Sequence, residues 1–469
     1  MVAVRGPGST VFDREAPDPR SVTRALGGSR HAVFWVDGLD RVDHPELTGQ
    51  HAADLVVVGA GYAGLWTAIR AKERDPGRSV IIVEACQVGW AASGRNGGFC
   101  EASLTHGEEN GRSRWPQEYA TLERLGQENL DGIEATVQRY AMDVELERTG
   151  TLSVATEPHQ VAWLVDDPGF LDADATRAQI DSPTYLGGAW ERQGTALLHP
   201  AKLAFELARV AVDLGVRIFE WSPVVSVYDG PVVRTAAGAV HTDQVVLATN
   251  VFPSLLRRNR LQTVPVYDYV ITTEPLTAEQ KAAIGWGARQ GVADLANHFH
   301  YYRLTADDRI VFGGYDAVYH YGGKVRPRYE ERPETYAKLT AHLLTTFPQL
   351  ADIMITHRWA GAIDTCSRFC AYFGLARQGR VAYAAGFTGL GVGATRFAAD
   401  VMLDLLGGTP TERTELAMVR ERPVPFPPEP LASVGIRLTD WSMHRADRHE
   451  GRRNLLLKTL DAVGMGFDS

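Results

Sequence analysis

Sulfur is scarce in this chain, which has four cysteines in 469 residues: Cys86, Cys100, Cys366 and Cys370. None forms a C-x-x-C pair and no spacing suits zinc, so the sequence offers neither a disulfide framework nor a zinc motif. Cys366 and Cys370, four apart, read as two buried thiols. Long apolar runs are also missing. No stretch approaches the ~20 residues that span a bilayer, and the N-terminus lacks a basic-then-apolar leader pattern. The expectation is a cytoplasmic protein with no membrane span. Positive charge is in short supply, with 48 Lys and Arg against 57 Asp and Glu, and the net −9 disfavours nucleic acid as a partner. What remains is ordinary: 45% hydrophobic and 22% charged residues suit a soluble globular protein. A chain of this length can bury a large core in two lobes.

Against that background one segment stands out. Residues 54–58, Asp-Leu-Val-Val-Val, have the composition of a fully buried parallel strand. They run into Gly59-Ala60-Gly61-Tyr62-Ala63-Gly64, then into a helical stretch over 65–74, a turn at Asp75-Pro76-Gly77, and a second strand, 79–83, ending on Glu84. Gly59 permits the tight turn, Gly61 lets backbone approach a pyrophosphate, and Gly64 lets the helix pack close to the sheet. The helix start offers unpaired N–H groups and a positive dipole end to phosphates. Glu84, 20 residues past Gly64, is placed to accept hydrogen bonds from an adenosine ribose and would repel a 2′-phosphate. A dinucleotide site follows, for FAD or NAD.

The rest of the chain alternates between two kinds of pattern. Residues 1–50 are Pro-, Gly- and charge-rich apart from 31–36, and are expected to lie across the outside of the nucleotide unit. Residues 117–139 read as helix, 144–155 as strand, and 201–214 as an amphipathic helix closed by Gly215. Strand and turn then alternate to Ala248-Thr249-Asn250. Runs at 264–273, 298–304 and 309–314 have the period of an antiparallel sheet that could face a substrate. Residues 334–347 read as helix. At 380–385 a strand feeds a second glycine turn, Gly386-Phe387-Thr388-Gly389-Leu390-Gly391, and a helix over 394–406. The tail from 409 opens with Pro-rich coil. It ends in a basic, partly amphipathic stretch at 436–463, read as a helical cover on the surface in preference to a membrane-surface helix.

The second glycine turn selects the cofactor. It sets another helix start in the same unit, and FAD is long enough to need two: one for the pyrophosphate and one for the flavin edge that becomes anionic on reduction. On these residues the chain resembles the D-amino-acid oxidase-like superfamily of FAD-dependent amine and amino-acid oxidoreductases, most closely the gamma-glutamylputrescine oxidase group. Further carriers are Ala92-Ser93-Gly94-Arg95-Asn96-Gly97-Gly98, Leu198-His199-Pro200-Ala201-Lys202-Leu203, residues 245–250, Ile310-Val311-Phe312-Gly313-Gly314 and Trp359-Ala360-Gly361.

The resemblance implies a Rossmann-like, discontinuous FAD domain (51–110, 196–262, 355–408) and a second, mixed-sheet substrate domain (111–195, 263–354). An N-terminal extension (1–50) and a C-terminal helical tail (409–469) flank them. It implies that Ser93 and the Arg95, Asn96, Gly97, Gly98 loop wrap the pyrophosphate and approach the flavin. Val225 would present backbone to adenine, Thr249 and Asn250 would border the cofactor, and Gly386 to Val392 would hold its pyrimidine end. Some members tie flavin to a cysteine, but that position falls near Trp359 to Gly361, where there is no sulfur, so noncovalent FAD is expected. Amino-acid oxidising members grip the carboxylate with an arginine; Arg303 and Arg368 are the candidates. Tyr267, Tyr269, His300, Tyr302, Arg303 and Tyr315 are expected to line the substrate pocket, with His300, Tyr302, Arg303 and Tyr315 the candidate catalytic set. His298 and His300 have H-x-H spacing but no evident third metal ligand, and no metal is expected. The expected activity is oxidation of an amine or amino acid to an imine, with O2 as acceptor. An NAD-dependent dehydrogenase and a non-catalytic flavin-fold scaffold remain as alternatives.

Overall fold

In the computed structural model, which describes residues 8–462, two sheets carry the molecule. The first has five parallel strands side by side: Val381–Ala385, Gly238–Leu247, Gly49–Val58, Val80–Val83 and Arg217–Phe219. Along Gly49–Val58 successive side chains enter different cores. Leu55 and Val57 pack against the helices Tyr62–Arg74, Pro200–Asp213 and Gly391–Gly407, while Val56 and Val58 join the core on the opposite face. Both faces are covered, which is why this strand reads as a continuous apolar run and not as an alternation. A short antiparallel meander, Ser226–Tyr228 and Val232–Arg234, extends the sheet from the first half of Gly238–Leu247.

The second sheet has ten strands and is mostly antiparallel; its centre is Ile355–Thr365, Val264–Thr273, Ile310–Gly314, His300–Leu304 and Gly291–Asp294. One face is packed by the helix Pro333–Thr346, with Tyr269, Ile271, Tyr302 and Phe312 in that core. The other face turns toward the nucleotide unit, where Val270, Val311 and Trp359 meet Ala201 of the Pro200–Asp213 helix. Tyr269, Ile271, Tyr302 and Leu304 thus point away from the nucleotide unit, into the helix-covered core.

Four expectations need correction. The N-terminal segment does not simply lie over the nucleotide unit. Pro19–Leu26 packs on Pro333–Thr346, and Arg30–His31 pairs in parallel with Ile355–Thr365 at the edge of the large sheet. Only beyond it does the chain cross over, with Leu47 buried in the nucleotide core. The helix Tyr119–Arg139, expected in the substrate unit, buries Leu122, Leu125, Leu130 and Ile133 in the core of the nucleotide unit and contacts Gly391–Gly407. Conversely, Ile355–Thr365, expected in the nucleotide unit, is a strand of the large sheet. Within 144–155 only Thr151–Ala155 is strand.

Two buried indoles tie the units together. Trp35 and Trp359, each 1% exposed, donate Nε1–H to the carbonyls of Asn96 and Arg95, both at 2.8 Å. They hold the 95–98 loop to the large sheet and the N-terminal segment. Trp35→Ala removes a large core side chain and one of these bonds. Denaturant unfolding should show a loss of about 3–5 kcal/mol, accompanied by a fall in bound flavin because the loop loses an anchor.

Candidate active site

The first glycine turn is built for close approach. Gly59 has φ +108°, and a Cβ there would lie 2.5 Å from the Ala248 carbonyl oxygen. A Cβ on Gly64 would come within 1.9 Å of the Gly59 oxygen, and one on Gly61 within 2.9 Å of Ser93 Oγ. The helix Tyr62–Arg74 begins at Gly61, which has no side chain of its own to cap it. Beside it, Ser93 Oγ accepts the Tyr62 N–H at 2.9 Å. Glu84 closes the turn from the neighbouring strand. Its carboxylate accepts from Ala60 N (2.6 Å), Cys86 N (2.9 Å) and Trp90 Nε1 (3.1 Å). Burial pushes the Glu84 carboxyl up, and these donors pull back against it.

The second turn is more strongly bent, with positive φ at Gly386, Thr388 and Gly389. Asp364, fully buried on the Ile355–Thr365 strand, accepts the Gly386 N–H at 2.6 Å. The helix Gly391–Gly407 then starts at Leu390, without a side-chain cap. Two helix starts therefore open on one space. That space is a cavity of ≈ 730 Å³ whose wall includes Gly61, Tyr62, Ala63, Ser93, Arg95, Asn96, Gly97, Asn250, Phe387, Thr388, Gly389, Leu390, Gly391 and Val392. An elongated group with a charged middle and a polar end fits it: the first helix start would hold a pyrophosphate and the second a flavin edge. Gly59, Ala60, Gly64, Glu84, Gly98 and Gly386 do not face the cavity but shape the turns behind it.

Two acids on the wall have unusual surroundings. Asp268 sits on Val264–Thr273, where it accepts Tyr301 Oη–H at 2.5 Å and Gly314 N–H at 3.1 Å. Burial, opposed by these hydrogen bonds, leaves its carboxyl at about 6. Asp364 is lifted by burial to about 7 despite the amides of the second turn. Tyr301 lies against Gly97, where a Cβ would come within 2.5 Å of its ring. Tyr267 and Tyr315 also line the cavity, and Tyr315 has φ +64°.

Several expected residues face elsewhere. Tyr302 bonds Tyr185 through their hydroxyls at 2.7 Å inside the helix-covered core. Its neighbour Tyr301 takes the cavity position, since adjacent strand residues face opposite ways. Arg303 spends Nη1 on the carbonyls of Leu198 (2.7 Å) and Gly98 (3.2 Å), and burial drops it to about 10. It buttresses the loop and does not reach the cavity. Arg368 is likewise taken up by carbonyls, with Nε on Cys370 at 3.3 Å and Nη1 on Glu421 at 3.2 Å. His300 is enclosed between Asp294 (2.6 Å) and His342 (2.8 Å). Tyr269 bonds the Tyr329 carbonyl at 2.6 Å. Val225 is 64% exposed and its N–H bonds the Arg234 carbonyl at 2.8 Å, so that donor is not available to adenine; Val224 is the one packed on the nucleotide core. Thr249 is not on the cavity wall.

The tail supplies what sequence reasoning missed. Helices Leu431–Asp447 and Leu455–Ala462 form part of the cavity wall. The first of them is pinned by His298, which lies between Asp440 (3.0 Å) and Asp447 (3.3 Å) and stacks on His444 with centroids 3.7 Å apart. Burial works against charge on His298, but the hydrogen bonds to Asp440 and Asp447 outweigh it and raise it to about 9. His298 and His300 thus serve separate networks. Asp440 and His444 do bring ligand-type atoms within 4.8 Å of those of His298, but the stacked rings and the ion pairs make this a latch.

Two helix starts on one elongated cavity, behind a parallel sheet and beside a ten-stranded one, define a flavin-binding oxidoreductase. The chain belongs to the FAD dependent oxidoreductase family, whose model matches residues 54–405, and its cofactor is FAD. It is 32% identical to gamma-glutamylputrescine oxidoreductase of Escherichia coli over 395 residues, 79% of this chain and 88% of that one. It is 29% identical to the probable oxidoreductase OrdL of Haemophilus influenzae, over 78% of this chain and 85% of that one. Glycine oxidase from Geobacillus kaustophilus shares the fold with TM-score 0.64 at 18% identity, over 77% of this chain and 96% of that one. L-proline dehydrogenase from P. horikoshii does so with TM-score 0.63 at 17% identity, over 78% and 95%. No helix among the described residues is long and apolar enough to cross a membrane.

No cysteine lines the cavity among the described residues, and Gly361 does. Cys366 is fully buried, its thiol turned to the carbonyls of Cys370 (3.1 Å) and Gly386 (3.4 Å). Acid precipitation of the purified protein should therefore release all flavin to the supernatant. Colour kept in the washed pellet would show a covalent link.

Proposed function

We propose that this protein oxidises the C–N bond of an amine or amino acid to an imine, which water hydrolyses, and that O2 reoxidises the cofactor to give hydrogen peroxide. FAD, when bound, accepts the two electrons. The observation that carries the reading is Asp268, a buried carboxylate on the wall of the cofactor cavity with a tyrosine hydroxyl on one oxygen. Such a group is costly to bury unless it has a cationic partner to meet. An ammonium supplies that partner.

Oxidation requires the amine to lose a proton first. In this reading Asp268 binds the ammonium, orients it beside the Gly97 loop and takes that proton, while Tyr301 fixes the carboxylate by its hydrogen bond. The apolar side chains that the C-terminal helices bring to the wall lower the local dielectric, which strengthens the pairing. The relatives support the reading: one is named for a gamma-glutamylputrescine oxidoreductase activity and one structural neighbour for glycine oxidation.

The alternative reading is a non-catalytic flavin-fold scaffold, in which Asp268 only fixes the Tyr301 hydroxyl and the Gly314 amide. Anaerobic mixing with a panel of amines, amino acids and 2-hydroxy acids separates the readings by whether the flavin bleaches. Bleaching by amines followed by peroxide on admitting air is expected; bleaching by hydroxy acids alone would sink the proposal. The pH dependence carries a sign. Below about 6 Asp268 is protonated and cannot pair with an ammonium, and above it the carboxylate forms. Hence kcat/KM should rise through about pH 6, and Asp268→Asn should lose that limb with a drop of about 10²-fold or more.

A further inference from the structure

We infer that the substrate is an apolar, carboxylate-free amine, with its ammonium at Asp268 and its hydrocarbon part under the C-terminal helices. This deepens the proposed amine oxidation and rests on it. Two independent observations carry it.

The first is the cover. Ile436 and Met443 of Leu431–Asp447, with Leu456, Leu457 and Leu460 of Leu455–Ala462, contribute to the wall of the same cavity as Asp268 and Gly97. The matched family segment ends at residue 405, so this part of the wall is supplied by chain outside it. The cover is held in place: His298 bonds Asp440 and Asp447, and Glu429 accepts from Tyr319 Oη (2.7 Å) and Gly322 N (2.9 Å). An apolar wall so anchored gains free energy from a hydrocarbon and none from a second charged end.

The second is the charge balance at the wall. Holding a substrate carboxylate calls for a guanidinium with its fork available. Among the described residues, the two arginines on the wall are already ion-paired, Arg95 with Glu330 at 2.7 Å and Arg453 with Asp461 at 2.6 Å. Arg303 and Arg368 are committed to backbone carbonyls behind it. On the wall, Asp268 and Asp364 meet hydroxyl and amide donors, while Asp440 is paired with His298. An α-carboxylate placed beside the ammonium would lie near the Asp268 carboxylate with no guanidinium fork to receive it, at a large cost beside a largely apolar wall.

The test is steady-state kcat/KM of the full-length holoenzyme for butyl-, hexyl- and octylamine against 2-aminohexanoate and 2-aminooctanoate. The expected result is a rise of about two- to fourfold per added methylene, with each amino acid at least ~10²-fold below the amine of matching chain. Ile436→Asp, which puts a charge into the cover, should lower kcat/KM for octylamine about tenfold more than for butylamine. Wild-type rates that stay flat with chain length, or amino acids that outrun their matching amines, overturn the inference while amine or amino-acid oxidation stands. Failure of every amine and amino acid to bleach the flavin overturns the underlying reading, and this one with it.

Discussion

The carboxylate of Asp364 grips the amide of Gly386 across 2.6 Å, and most of the site depends on that bond. Asp364 stands on a strand of the large sheet, and Gly386 opens the turn that follows a strand of the nucleotide sheet. The bond therefore fixes the two sheets relative to each other and sets the start of the Gly391–Gly407 helix over the cavity. It also explains why an acid is tolerated where burial lifts it to about 7: the strained turn presents inward-facing N–H groups that need an acceptor. The two tryptophan bonds to the Arg95 and Asn96 carbonyls make the matching connection on the other side of the cavity.

Within this frame polar and apolar demands are separated in space. Backbone amides and helix dipoles face the cavity, where the charge of a bound FAD would reside. Asp268 and Tyr301 face the reacting nitrogen in the proposed chemistry. The tail brings aliphatic side chains and seals them by placing the charged His298 between two carboxylates. That latch lies at the joint between the tail and the large sheet, so its ion pairs stabilise closure without placing a free charge in the cavity.

Much of the nucleotide unit was legible because its signals are local. A strand buried on both faces, glycines that tolerate no Cβ, and an acid closing the next strand all follow one another within 31 residues, 54–84. The substrate side was not, because strand parity is not local. Tyr301 and Tyr302 are chemically alike, and only the register against Ile310–Gly314 and the position of Gly97 decides which faces the cofactor. The same one-residue shift separates Val224 from Val225. Arg303 is drawn away by carbonyls at Gly98 and Leu198, partners 205 and 105 residues distant in sequence. Asp268 did leave a trace, as the lone acid in the strand Val264–Thr273. So did Asp364 in Ile355–Thr365. The tail showed an amphipathic pattern, which tells that one face is buried and not what it is buried against.

The central claim is that one buried carboxylate joins the two sheets and thereby forms the FAD site. FAD titration of the apoprotein, wild type against Asp364→Ala and Asp364→Asn, with secondary structure followed by circular dichroism, tests it most directly. The account predicts folded variants in which Asp364→Ala binds FAD at least ~10-fold more weakly, as expected for losing a charge-assisted bond to a strained turn, with Asp364→Asn between it and wild type because its amide oxygen can still accept. An Asp364→Ala protein that binds FAD as tightly as wild type would contradict it.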